Sequence, residues 1–92
     1  MPEMTDRVLI IVKQDLLIQS SVRDDYLRIM IQSCYQELIN RGVSLSDSVD
    51  DILLLADYVS FRYRHRTDNS PIPQNLQLRI YNKKLQGRLA ND

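Results

Sequence analysis

The chain has 92 residues, 12 basic and 12 acidic side chains, and 43% apolar residues, which is the composition of one soluble globular domain. A net charge of zero excludes a polybasic histone-like binder and an acidic disordered tail. The single cysteine, Cys34, excludes an internal disulfide and a cysteine-based zinc site.

The start, Met1 to Asp6, lacks the basic stretch of a signal peptide, and no apolar run exceeds five residues. These features predict a soluble chain that is intracellular when made. Thr5 is the expected N-cap of a first helix from Thr5 to Ile18, with Met4, Val8, Leu9, Val12 and Leu16 at helical spacing. The β-branched block Val8–Val12 also reads as a buried strand, and helix is preferred.

The second helix is predicted over Asp24–Asn40. Ser21-Val22-Arg23-Asp24 has the form of a weak capping box. Leu27, Met30, Ile31, Cys34 and Leu38 step along one stripe, and Tyr26, Ile29 and Tyr35 widen it. Cys34 on that stripe reads as a buried, inert side chain. Gly42 is placed to take the left-handed conformation that closes the helix.

A third helix follows a Ser/Asp loop, capped by Ser46 or Ser48, with Asp50 and Asp51 in its first turn. Val49, Ile52, Leu53, Ala56, Val59 and Tyr63 form its expected stripe. Leu54, Leu55, Tyr58 and Phe61 lie on other faces, so this helix is expected at the centre of the core. It ends in Arg62-Tyr63-Arg64-His65-Arg66, positive charge at the negative helix end. The break at 69–73 contains Pro71 and Pro73. A fourth, basic helix is predicted from about Pro73 to Gly87. Leu76, Ile80 and the Lys84 stem share one side, and Leu78, Tyr81, Leu85 and Leu89 another. Leu76–Ile80 also alternates as a strand would, but only two glycines argue against a turn-rich β protein. The expected fold is a single all-α domain, a bundle of about four helices with helices two and three as a central antiparallel pair.

Charge is divided along the chain. Residues 1–61 carry five basic and ten acidic groups, a net −5, and residues 62–92 carry seven basic and two acidic groups, a net +5. This split reads either as a solvated basic face, or as head-to-tail contact between copies or contact with nucleic acid. The candidate contact residues are Arg62, Arg64, His65, Arg66, Lys83, Lys84 and Arg88. The aromatic-arginine run Tyr58–Arg66 has the elements of nucleic-acid binding, and equally those of core rings beside a solvated helix end. No catalytic, cofactor or metal residues are assigned. A triad of Cys34, His65 and Asp57 is disfavoured because Cys34 lies on an apolar stripe, and no phosphate loop or nucleophile elbow is present.

The order of these segments resembles a known family. Asp25-Tyr26-Leu27-Arg28-Ile29-Met30-Ile31-Gln32-Ser33-Cys34-Tyr35 is followed by a Gly-terminated end. Then comes Val49-Asp50-Asp51-Ile52-Leu53-Leu54-Leu55-Ala56-Asp57-Tyr58-Val59, which runs out through Arg62–Arg66. Pro71-Ile72-Pro73-Gln74-Asn75-Leu76-Gln77-Leu78-Arg79-Ile80 precedes and opens the last helix. Over residues 5–88 this is similar to the small head–tail connector (adaptor, or head-completion) proteins of long-tailed phages and prophages. The chain is shorter than many members and lacks an insertion that some carry between helices two and three.

The resemblance implies a non-enzymatic virion protein without cofactors. It implies a homo-oligomeric ring between portal and tail or stopper proteins, extending the channel for genomic DNA and completing the head after packaging. Such a subunit can stay monomeric until the portal templates the ring. Its place would be the host cytoplasm during assembly and the head–tail junction afterwards, with no membrane contact. The competing reading is a small helical DNA-binding regulator of phage origin, and a third is an antitoxin-like or chaperone-like adaptor. A regulator would need a polar, base-reading helix after a tight turn.

Overall fold

The structure is a computed structural model that describes residues 2–90. Four helices make it up: α1 (Pro2–Asp15), α2 (Asp24–Asn40), α3 (Val49–Arg64) and α4 (Gln74–Ala90), with no strand among the described residues. The all-α expectation therefore holds, and the Val8–Val12 block is helical.

α3 sits at the centre and contacts each of the other three helices. Val8 and Val12 of α1, Leu27, Ile31 and Leu38 of α2, and Leu55, Tyr58 and Val59 of α3 are fully enclosed. α2 and α3 contact each other. Tyr26 near the start of α2 meets Tyr63 near the end of α3, with ring centroids 6.3 Å apart. Glu37, farther along α2, reaches back to Tyr58.

Several boundaries and faces differ from expectation. α1 starts at Pro2, not Thr5, because proline is tolerated in a first helical turn where its missing N–H has no helical partner. Thr5 is thus inside the helix and buried, not a cap. α1 ends at Asp15 because Leu17 takes a left-handed backbone, φ 58°. Ile18 N–H donates to Lys13 O at 2.9 Å and Leu17 N–H to Gln14 O at 3.3 Å, the paired bonds of a Schellman closure.

Ser21 forms no capping box. Its carbonyl accepts from Asp24 N–H at 3.1 Å, and the N-cap position is Arg23, with no side-chain cap bond. α2 closes as expected on Gly42, φ 92°. Val43 N–H donates to Leu38 O at 3.0 Å, and both side chains are buried.

As expected of a helix at the centre of the core, α3 buries more than one face: Ile52, Ala56 and Val59 of the expected stripe are enclosed, and so are Leu54, Leu55 and Tyr58. Two stripe residues at the start of the helix depart from expectation, Val49 at 72% and Leu53 at 40% exposure. A helix with neighbours on three sides has no single apolar face, so periodicity cannot select one. α4 opens at Gln74 after Pro73, whose carbonyl accepts from Gln77 N–H at 2.9 Å. It runs past Gly87, where even an added Cβ would meet only Ser44 Oγ at 3.9 Å. α4 packs on α3 alone among the helices, through buried Leu76 and Ile80. The side chain of Leu89, expected on the other side, lies outside the described residues.

Candidate protein-docking groove

The charge split is closed largely within the chain. Arg62 pairs with Glu37 at 3.6 Å, Arg64 with Asp15 at 3.0 Å, Arg79 with Asp57 at 2.6 Å and Lys83 with Asp51 at 2.8 Å. Each joins a base of the C-terminal third to an acid of the first 61 residues. The −5/+5 division thus has an intramolecular use that its sequence pattern does not reveal.

The seven candidate contact residues separate into three places. Arg62, His65 and Arg66 converge on a groove of about 470 Å³ between α2 and the end of α3. Arg64 points to another side, where it also donates to the Asp15 carbonyl at 3.2 Å. Lys83, Lys84 and Arg88 lie on α4. Lys83 is committed to Asp51, the Lys84 stem packs over Gly42, and Arg88 has no ion pair among the described residues.

The groove has two unlike walls. α2 supplies Tyr26, Ile29 and Met30, with Cys34 at the base. Ile29 is 67% exposed, an unusual setting for isoleucine in a helix that also carries a complete buried stripe. α3 and the turn after it supply the charges. Arg66 stacks 4.0 Å from the Tyr63 ring centroid and donates to the Tyr63 carbonyl at 2.6 Å. Arg23 donates to the hydroxyl of the same tyrosine. His65 lies against Phe61, centroids 4.7 Å apart, with Nδ1 3.2 Å from Asp68 Oδ2. A hydrogen bond from Ser70 N–H, with the His65 contact, holds the Asp68 carboxyl below its usual range.

Glu37 fixes the junction of the walls. Its Oε1 accepts from the buried Tyr58 hydroxyl at 2.6 Å, and Arg41 and Arg62 each lie 3.6 Å from its carboxylate. Burial, then the Glu37 carboxylate, pushes the Tyr58 phenol up, so it stays a donor. Burial pushes the Cys34 thiol up to about 12, with Glu37 adding to the effect. The thiol is protonated at neutral pH and 3% exposed, which suits packing and not nucleophilic attack.

A second polar centre lies at the other end of α3. Ser48 Oγ accepts from Asp51 N–H at 3.3 Å and caps the helix. Asp51 is buried and accepts from Ser46 N–H at 2.7 Å, Ser46 Oγ at 2.8 Å and Lys83 Nζ. Burial raises its carboxyl, but these donors outweigh that and hold it below its ordinary 3.8. This centre anchors α4, so it gives Lys83 a positioning role within the chain.

No group of three or more His, Cys, Asp or Glu side chains suited to a metal ion occurs among the described residues. No described helix is long and apolar enough to cross a membrane. The α2 wall of the groove was not among the candidate residues. Its signal was the surplus of Tyr26 and Ile29 outside the α2 stripe. Comparison with protein-family models, curated proteins and solved structures finds no match to this chain.

Proposed function

We propose that the chain is a non-enzymatic virion structural protein of the head–tail connector kind. In this reading it forms a ring between portal and tail or stopper proteins, extends the DNA channel, and completes the head after packaging. The observation that carries the reading is the open α2–α3 groove, with Tyr26 and Ile29 on one wall and Arg62 and Arg66 on the other. An apolar wall beside one of mixed charge, where Arg62 is shared with Glu37 and Arg66 has no ion pair among the described residues, suits an amphipathic segment of a neighbouring virion protein that presents an acid to Arg66. Ion pairs to Glu37 and stacking on Tyr63 hold both arginines in place before a partner arrives.

The regulator reading has less support. A base-reading helix presents polar side chains to the major groove. α3 is largely enclosed, and the outer side of α4 carries Leu78, Tyr81 and Leu85.

The test uses tail-less, DNA-filled heads from the phage or prophage that encodes the chain, supplied with wild type or Ile29→Asp/Arg66→Glu protein. Both positions are exposed, so helicity should be unchanged. Wild type should join heads to tails and retain DNA, and the variant should fail. Equal joining by a folded variant removes the groove from the mechanism. Joining by heads that receive no protein ends the connector reading.

A further inference from the structure

α4 is apolar on two opposite sides. Leu76 and Ile80 face α3, while Leu78, Tyr81 and Leu85 are 57%, 58% and 40% exposed. The spacing i, i+3, i+7 places those three on one stripe of a helix, the geometry of a seam that receives another helix. Exposed apolar residues scattered singly need no explanation, but an aligned set on a helix already docked by its other side does.

Charge decides what can cover the stripe. From Gln74 to Ala90 α4 carries Arg79, Lys83, Lys84 and Arg88 and no acid. Two α4 stripes brought together would oppose like charges, which disfavours a symmetric α4–α4 contact. Arg79 and Lys83 are already paired within the chain, which leaves Lys84 and Arg88 without ion pairs among the described residues.

A complementary patch exists on the same molecule. Val49 and Leu53, one turn apart at the start of α3, are 72% and 40% exposed. Asp47 and Asp50 flank them, and neither has an ion pair among the described residues. The outer stripe of α4 points away from its own α3, so the two patches cannot meet within one chain.

We infer that the Leu78–Tyr81–Leu85 stripe of α4 packs against Val49 and Leu53 at the start of α3 of a second copy, with Lys84 and Arg88 facing Asp47 and Asp50. The two surfaces differ, so the contact is heterologous and can be repeated from copy to copy around a closed ring. This deepens the ring reading above by naming the contact between subunits.

The experiment follows association of the full chain by sedimentation over a concentration series. Two charge-reversed chains accompany wild type: Asp47→Lys/Asp50→Lys and Lys84→Glu/Arg88→Glu. A Leu78→Ser/Leu85→Ser chain alters only the exposed stripe, and circular dichroism verifies that each variant folds. Wild type should associate with rising concentration, and every variant should weaken this by about tenfold or more. Mixing the two reversed chains should restore association between unlike copies, because every contact is then between opposite charges. A wild-type chain that stays monomeric at about 1 mM overturns the inference, which requires this contact to form without a portal template. So does association that both reversals leave unchanged, or a mixture without rescue. These results leave the connector reading to the head-joining assay, so the two can fail separately.

Discussion

The three-helix body and α4 are held by different forces. In α1–α3, side chains from all three helices are enclosed, among them Val12, Leu27, Leu55 and Tyr58. α4 contributes Leu76 and Ile80, at 5% and 7% exposure, and relies on Arg79–Asp57 and Lys83–Asp51 for the rest. Apolar burial is nearly indifferent to salt and pH, whereas ion pairs respond to both. The body should therefore set global stability. α4 should be the unit that opens first, over a connection whose residues 66–71 are exposed.

Three substitutions test this division, and the largest effect belongs to the body. Leu55→Ala removes a fully enclosed side chain at the centre of α3 and should cost about 2–5 kcal/mol. Urea denaturation should show one transition moved to lower denaturant, with α4 lost along with the rest. A loss confined to α4 amides would mean that α3 does not organise the core.

Lys83→Met should act mainly on α4. It removes one of the donors to the buried Asp51 carboxylate and should cost about 1–3 kcal/mol. Hydrogen exchange should quicken along α4 while α1 and α2 remain protected. The pH dependence has a defined sign. Because the folded-state Asp51 carboxyl lies below 3.8, its contribution is full above 3.8 and is lost as pH falls through the folded value. Wild-type α4 should accordingly open in acid before the body does, and Lys83→Met should lack that acid-dependent step. The exposed Arg79–Asp57 pair adds a salt-dependent part.

The smallest effect concerns two helix ends. Gly42 and Leu17 both close helices with a left-handed residue, at φ 92° and 58°. Glycine takes that conformation without the steric cost that leucine bears. Leu17 is 87% exposed, so its side chain adds little packing in return. Leu17→Gly should stabilise the protein by about 0.5–1 kcal/mol, read as a higher denaturation midpoint, and leave α4 exchange unchanged.

The same pair shows which features the sequence makes legible. The end of α2 is readable because Gly42 is the residue type that closes helices. The end of α1 is not, because Leu17 carries no such signal. Four helices can be read because Ser, Gly and Pro interrupt the apolar pattern near 20, 42 and 71. The central place of α3 can be read as well, because apolar residues lie all round it, but the exposure of Val49 and Leu53 cannot, since they share the spacing of buried Ile52 and Ala56. Of the groove, the basic wall is visible as Arg62, His65 and Arg66 in one run. The α2 wall depends on how two helices 36 residues apart in number, as at Tyr26 and Arg62, are brought side by side. The pairing of Lys83 with Asp51 is hidden for the same reason: opposite charges in a sequence do not state whether they meet within one chain or between two.

The principal extents of 45 × 30 × 18 Å describe a slab, not a sphere. A folded monomer of 10.8 kDa is expected to expose about 5,500 Å², and this chain exposes 6215 Å². The excess is what a flattened shape carries over a sphere of the same mass. A flat subunit offers two broad faces and a thin edge for little mass. Stacked edge to edge, such slabs would enclose space with a wall only one subunit thick.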